Sequence, residues 1–197
     1  MGKTQIQNFI QTIFPMAEAQ AVAITDFFKE KEFSKTDLLV TKGRTCKEYF
    51  FLEDGFVRAY TYDLEGNDIT TAFFSPGQFV CELFSFFKRV TSSENFQALT
   101  DCKAWFISYE ELQHVFHSMP EFREFGRAIL INAYAQLKQR MLGMIQDSAE
   151  ERYAHLLQSN PDIFQHAALK NIATYLGVTD TSLSRIRKEF AKNHNIH

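Results

Sequence analysis

Between Leu38 and Ile107 the sequence breaks into short runs rich in aromatic and β-branched residues: LLVT, YFFLE, FVRAYTY, DITTAFF, FQALT and KAWFI. Side chains of this kind suit a pleated, half-buried surface. Gly43, Gly55, Gly66 and Gly77 punctuate the runs 12, 11 and 11 residues apart, and DLEGND reads as the tip of one hairpin. This spacing predicts a small antiparallel sandwich or barrel, which fixes the class of the N-terminal half before any other residue is considered.

The flanking segments are helical in pattern. Residues 5 to 30 place Ile6, Phe9, Ile10 and Ile13, then Val22, Ile24, Phe27 and Phe28, at helical spacings around Pro15, and so predict short helices capping the β unit. Ser108 followed by Glu111 is a capping box that ends the sheet and starts a helix, which Pro120 interrupts. Leu130, Tyr134, Leu137, Met141 and Met144 then alternate in steps of four and three, with Arg123, Arg127, Lys138 and Arg140 off that seam. A long helix with a coiled-coil edge follows. Such a seam serves either a second copy of the chain or its own domain; a homodimer is the reading adopted.

After a second capping box at Ser148 and Glu151, an amphipathic helix runs through Leu157 to a turn at SNPD. Leu169, Ile172, Ala173 and Leu176 form an apolar stripe, Gly177 can take the left-handed backbone that stops a helix, and Thr179 can cap the next one. Two helices joined by about three residues result. Ala173 sits where the second helix must come close, and Leu183, Ile186 and Phe190 supply that helix's buried face. At about 100° per residue, Arg185, Lys188 and Lys192 fall within about 40° of Thr181 and opposite the apolar side. The outer face therefore carries Thr179, Asp180, Thr181, Ser182 and Ser184 near its start and cations further along. A helix in a DNA major groove needs this order, since its first turn reads base edges while cations and hydroxyls hold phosphates. Arg185 is the candidate guanine contact. Asp180 either accepts from a cytosine amino group or interacts with the helix dipole.

Charge agrees with that placement. Residues 169 to 197 carry five lysines and arginines against Asp180 and Glu189, a local +3, so the rest of a chain of net charge -3 carries -6. With 197 residues and 45% hydrophobic content the chain can build one large domain or two small ones. The absence of an 18-residue apolar run and of a signal-peptide pattern in the first twenty residues leads to the expectation of a cytoplasmic protein with no membrane contact. Cys46, Cys81 and Cys102, odd in number and scattered, read as reduced thiols, and no metal-ligand spacing or cofactor is expected.

With these residues in view, the chain resembles the Crp/Fnr family of bacterial transcription regulators. EYFFLEDGFVRAYTYDLEGNDITTAFFSPGQFVCELF is similar to the family's β-roll hairpin and phosphate-binding cassette, and LKNIATYLGVTDTSLSRIRKEF to its helix-turn-helix. The resemblance implies an α+β protein: a cyclic-nucleotide-binding-like β-roll over residues 1–118, a dimerisation helix over 119–147 and a helix-turn-helix domain over 148–197. It implies double-stranded DNA with a two-fold site, a second copy of the chain and RNA polymerase as partners. The effector is an unknown small molecule or none.

Carried over residue by residue, the cassette's ribose-binding glutamate falls on Glu82, beside Leu83, but its first glycine falls on Cys81. The phosphate-clamping arginine falls on Ser92, followed by Ser93 and Glu94, and the adenine-contacting hydroxyl of the long helix falls on Leu137. A desolvated phosphate diester needs a paired cation, and a neutral hydroxyl beside a carboxylate does not supply one. Cyclic AMP is therefore not expected as the ligand. Phe84, Phe86 and Phe87 crowd the cassette, either as a plug or as a lining for an apolar effector, and the plug is preferred. A thiol sensor at Cys81 or Cys102 stands against the commoner inert core cysteine. The family's base-reading arginine and glutamate fall on Asp180 and Thr181, so the operator should differ, and the stretch after Phe190, AKNHNIH, is expected to lack a β-hairpin wing.

Two other classes compete. A cupin-type metal enzyme would place histidines on barrel strands, whereas the six histidines, at 114, 117, 155, 166, 194 and 197, lie outside the strand region. No G-x-S-x-G, P-loop or G-x-G-x-x-G stretch occurs, and Glu110 and Glu111 are adjacent and diverge on a helix. The second competitor is a protein-interaction or ligand-sensing module with a vestigial DNA-binding helix, which would have no need to keep Arg185, Lys188 and Lys192 on one face.

Overall fold

The computed structural model describes residues 3–193. Two short helices, α1 (Thr4–Ile13) and α2 (Glu18–Thr25), precede β1 (Lys29–Phe33), β2 (Leu38–Val40), β3 (Glu48–Asp54), β4 (Val57–Tyr62), β5 (Asp68–Phe74) and β6 (Phe79–Val80). Helix α3 (Leu83–Lys88) is inserted before β7 (Asn95–Ala98) and β8 (Cys102–Ser108). The rest is helical: α4 (Tyr109–Ser118), α5 (Pro120–Gln146), α6 (Ala149–Ser159), α7 (Ile163–His166), α8 (Leu169–Leu176) and α9 (Asp180–Asn193).

The strands form two antiparallel sheets, ordered β1-β8-β3-β6 and β2-β7-β4-β5. Their facing sides bury Phe50, Leu52, Val57, Ala59, Phe96 and Ala104 in one core. Strand β3 explains why the sequence run YFFL does not alternate: Phe50, Phe51 and Leu52 are all buried, because its second face is covered as well. Phe9 of α1 stands 5.5 Å from Phe51, and Phe79 of β6 stands 6.0 Å from Phe125 of α5. The DLEGND hairpin tip is a tight turn in which Asp63 accepts the backbone N–H groups of Glu65 and Asn67. Gly55, at φ +91°, is required twice over, since a Cβ there would lie 2.5 Å from the Asp101 carbonyl oxygen and 2.6 Å from Cys102 Sγ.

The structure departs from the sequence expectation at two places. Residues 5 to 30 are not helical throughout: α2 stops at Thr25 and β1 begins at Lys29. KEKEF is an edge strand paired only to β8, with Phe33 alone reaching the core, and an edge tolerates the charges that mask its strand character. Helix α3 was hidden in a phenylalanine-rich stretch too short to show a period. Both capping boxes form: Ser108 accepts from the Glu111 N–H at 3.2 Å, and Ser148 from the Glu151 N–H at 3.2 Å.

The C-terminal helices pack directly on the β-roll. Phe56 and Leu99 share a core with Tyr153, Leu156, Ile163, Ile172, Leu176, Leu183 and Ile186. Helix α8 lies over β5, the edge of its sheet, and the Thr70 N–H donates to Thr174 Oγ1 at 3.1 Å. Phe73 meets Tyr175 at 5.1 Å, and Phe56 stacks on His166 at 4.1 Å. The stretch after Asn193, where no wing is expected, lies outside the described residues.

Candidate nucleic-acid interface and effector pocket

Helix α8 buries Ile172, Ala173 and Leu176, and its chain then reverses through Gly177 at φ +68°. Leu169, expected in the same stripe, is instead 41% exposed, because at the first position of α8 it lies outside the crossing with α9. Thr179 caps α9 by accepting the Ser182 N–H at 3.2 Å, and its own hydroxyl donates to Ser182 Oγ at 3.0 Å. Leu183 and Ile186 are buried, and Phe190 packs 5.3 Å from Tyr153. One face of α9 is thereby fixed inward. Thr181, Ser184, Arg185, Lys188 and Lys192 are exposed on the other, with Ser182 half-buried beside them. Among the described residues, Arg185 and Lys188 form no ion pair or hydrogen bond within the chain. Asp180 opens the helix and is exposed, where a carboxylate favours the dipole.

Two arginines hold this unit in place. Arg140 of α5 donates from Nη2 to the Tyr175 carbonyl at 3.0 Å, and its guanidinium lies 4.2 Å over the Tyr175 ring. Arg152 donates from Nε to the Leu176 carbonyl at 3.0 Å and from Nη1 to the Asp147 carbonyl at 2.6 Å. The last carbonyls of α8, which have no partner inside the helix, are satisfied this way. Neither arginine was identifiable from sequence as a positioning residue, because each acts on a helix remote in the chain; Arg140 read only as a charge off the seam.

Along α5 the seam residues Leu130, Tyr134, Leu137, Met141 and Met144 are all exposed in the single chain, Leu137 at 64%. Ile131, Leu142 and Ile145 extend the same uncovered apolar surface. Met144 also serves the chain itself: its methyl group lies where a Cβ on Gly177 would come within 2.7 Å, so the end of α5 rests on the helix-turn-helix.

In the cassette, Glu82 and Ser92 make hydrogen bonds within the chain. Glu82 accepts the Ser85 N–H at 2.7 Å and so caps α3. Ser92 is buried, donating to the Glu94 carbonyl at 2.7 Å and accepting the Glu94 N–H at 3.1 Å. Ser93 is exposed and its carbonyl accepts from Thr61 Oγ1 at 3.0 Å, while Leu83 is half-buried. Arg89, the arginine of this segment, donates to the Cys46 carbonyl at 3.1 Å and lies 4.4 Å over the Tyr109 ring. Phe86 is fully buried against Tyr49, Phe87 and Tyr109. Phe84 does not crowd the cassette as expected: it is 66% exposed, because it projects from the outer side of the short α3. Burial pushes the Tyr49 phenol well above its ordinary range. Cys81 stands beside Cys46, with 3.9 Å between the sulfurs.

These parts define a class of protein: a β-roll joined by a long helix with an open apolar face to a helix-turn-helix with an exposed cationic side. Residues 30–119 match the cyclic nucleotide-binding domain family. The chain is 24% identical over 179 residues to the fumarate and nitrate reduction regulatory protein of Vibrio cholerae, covering 84% of this chain and 70% of that one. Among solved structures it superposes on FixK2 of Bradyrhizobium japonicum with TM-score 0.71 at 18% identity, covering 85% of this chain and 86% of that chain. It also superposes on the c-di-GMP-responsive global regulator CLP of Xanthomonas campestris with TM-score 0.69 at 17% identity, covering 91% and 94%. The chain is thus similar in sequence to the Vibrio cholerae regulator and shares the fold of these two solved structures. Among the described residues no helix is long and apolar enough to cross a membrane.

Proposed function

We propose that the chain is a sequence-specific DNA-binding transcriptional regulator that acts as a homodimer on a two-fold site and does not respond to cyclic AMP. The observation that carries this reading is the outer face of α9, where hydroxyls at Thr181, Ser182 and Ser184 precede the exposed cations Arg185, Lys188 and Lys192. The open apolar face of α5 supports pairing, which would set two recognition helices about 34 Å apart, one turn of duplex. Capture of Glu82 by the Ser85 N–H and of Ser92 by the Glu94 backbone supports cyclic-AMP independence. RNA polymerase is the partner through which such a regulator would act on transcription.

A salt series tests the reading. Phosphate contacts make the logarithm of affinity fall steeply with the logarithm of salt, with Lys188→Ala reducing the slope by about one unit. Arg185→Ala relaxes sequence preference at one position by about 1–3 kcal/mol. Leu137→Glu places a charge in the seam and should lower the solution mass toward the 22.9 kDa of one chain. No DNA binding even at low salt would favour the interaction module, and micromolar binding of cyclic AMP would refute the ligand assignment.

A further inference from the structure

Cys46 and Cys81 are 35 residues apart in the chain, yet their Sγ atoms lie 3.9 Å apart. The pairing of β3 with β6 brings them together: Phe50 opposes Val80 and Phe51 opposes Phe79, so the segment entering β3 runs beside the segment leaving β6. Both sulfurs sit at the cassette. The Cys46 N–H donates to Ser85 Oγ at 2.8 Å and its carbonyl accepts from Arg89, while Cys81 directly precedes Glu82, the cap of α3. Cys102 is elsewhere, buried in β8 against the Phe56 and Thr100 carbonyls.

We propose that Cys46 and Cys81 are a reversible redox pair, oxidised by hydrogen peroxide to an intramolecular disulfide at the entrance to α3. The two thiols are inequivalent in a way that assigns their roles. A hydrogen bond from the Cys81 thiol holds the Cys46 thiol below its usual value, with backbone contacts at Glu82 and Glu48 adding to it against burial. Burial pushes the Cys81 thiol well up. Cys46 is only 4% exposed, which limits the oxidant to a molecule of peroxide size.

The Cys46 thiolate attacks one peroxide oxygen; the O–O bond breaks, hydroxide leaves and takes a proton to become water, and Cys46 becomes a sulfenic acid. Cys81 Sγ then attacks that sulfur, losing its proton as the S–O bond breaks; the S–S bond forms and a second water leaves. Two thiols and one peroxide thus give one disulfide and two waters, and a thiol reductant restores the pair. Closing the gap to about 2.05 Å draws the sulfurs together by nearly half their separation. The backbone bonds of Cys46 to Ser85 and Arg89 and the Glu82 cap belong to the two cysteines or their chain neighbour, next to the sulfurs that shift. An effect on DNA affinity rests on the function proposed above; the disulfide does not.

The test uses the full chain. After peroxide treatment and removal of the oxidant, maleimide counting on the unfolded chain should show loss of two of the three thiols, and peptide mapping should give a Cys46–Cys81 linkage that dithiothreitol reverses. Cys102→Ala should retain the linkage, and Cys81→Ser should stop oxidation at a Cys46 sulfenic acid, which dimedone added with denaturant labels. Mapping on the unsubstituted protein keeps the test decisive if a variant fails to fold. Three thiols surviving peroxide, or a disulfide that involves Cys102 or a second chain, overturns the pair. With the linkage mapped, DNA affinity should differ about five-fold or more between the two redox states. Equal affinity removes the regulatory role, and no DNA binding in either state overturns the proposed function while the redox pair stands.

Discussion

Replacing Thr174 by valine isolates one hydrogen bond that joins helix α8 to the β-roll. Thr70 is 1% exposed, and its N–H points away from β4, off the edge of the sheet, to Thr174 Oγ1 at 3.1 Å. The same hydroxyl donates to the Asn171 carbonyl at 3.1 Å. Valine keeps the shape of the side chain but leaves the Thr70 donor buried without a partner, at a cost of about 1–3 kcal/mol. For a chain of this size each kcal/mol moves the melting temperature by about 2–4 °C, so Thr174→Val should lower it by about 2–12 °C. Thr174→Ser retains the hydroxyl and loses one methyl group, about 0.8 kcal/mol, and should be the milder change. Hydrogen exchange gives the local readout: the Thr70 amide should lose protection in the valine variant while its ladder neighbours keep theirs. A valine variant as stable as the parent, or more stable than the serine variant, would refute the assignment of this contact as a docking bond.

Two further predictions concern backbone strain and acid stability. Gly55→Ala should cost about 3 kcal/mol or more, since a strained φ adds to a clash with a fixed backbone oxygen, whereas Gly177→Ala, whose Cβ meets only the flexible end of Met144, should cost about 1 kcal/mol; equal effects in urea unfolding would contradict this. The Lys29 ammonium at 2.7 Å and the Ser108 hydroxyl hold the Glu111 carboxyl down at about 2, against its usual 4.5. Because the folded value is the lower one, the stabilisation is present above pH 4.5 and is lost as pH falls toward about 2, so Glu111→Gln should flatten that part of the acid-unfolding curve.

The strands of the β-roll were legible because YFFLE, FVRAYTY and DITTAFF carry their own β-branched and aromatic signal, and the helix-turn-helix because Gly177 and Thr179 fix where one helix stops and the next starts. β1 was not legible, since an edge strand buries one residue of KEKEF and leaves the charges to dominate. Nor could sequence place Phe56 and Leu99 in the core of the C-terminal helices, because a strand residue gives no sign of which neighbour covers it. The candidate site divides the same way. The outer face of α9 follows from helical period alone, while the capture of Ser92 by Glu94 depends on a turn geometry that spacing does not encode.

The position of α8 over β5 has a consequence for how the molecule can move. A sheet margin stripped of its cover is a template for a strand from another molecule. Any swing of the helix-turn-helix large enough to part Thr174 from Thr70 would therefore open this protein to polymerisation. Motions that keep this edge covered carry the β4–β5 hairpin along with the C-terminal helices as one lever.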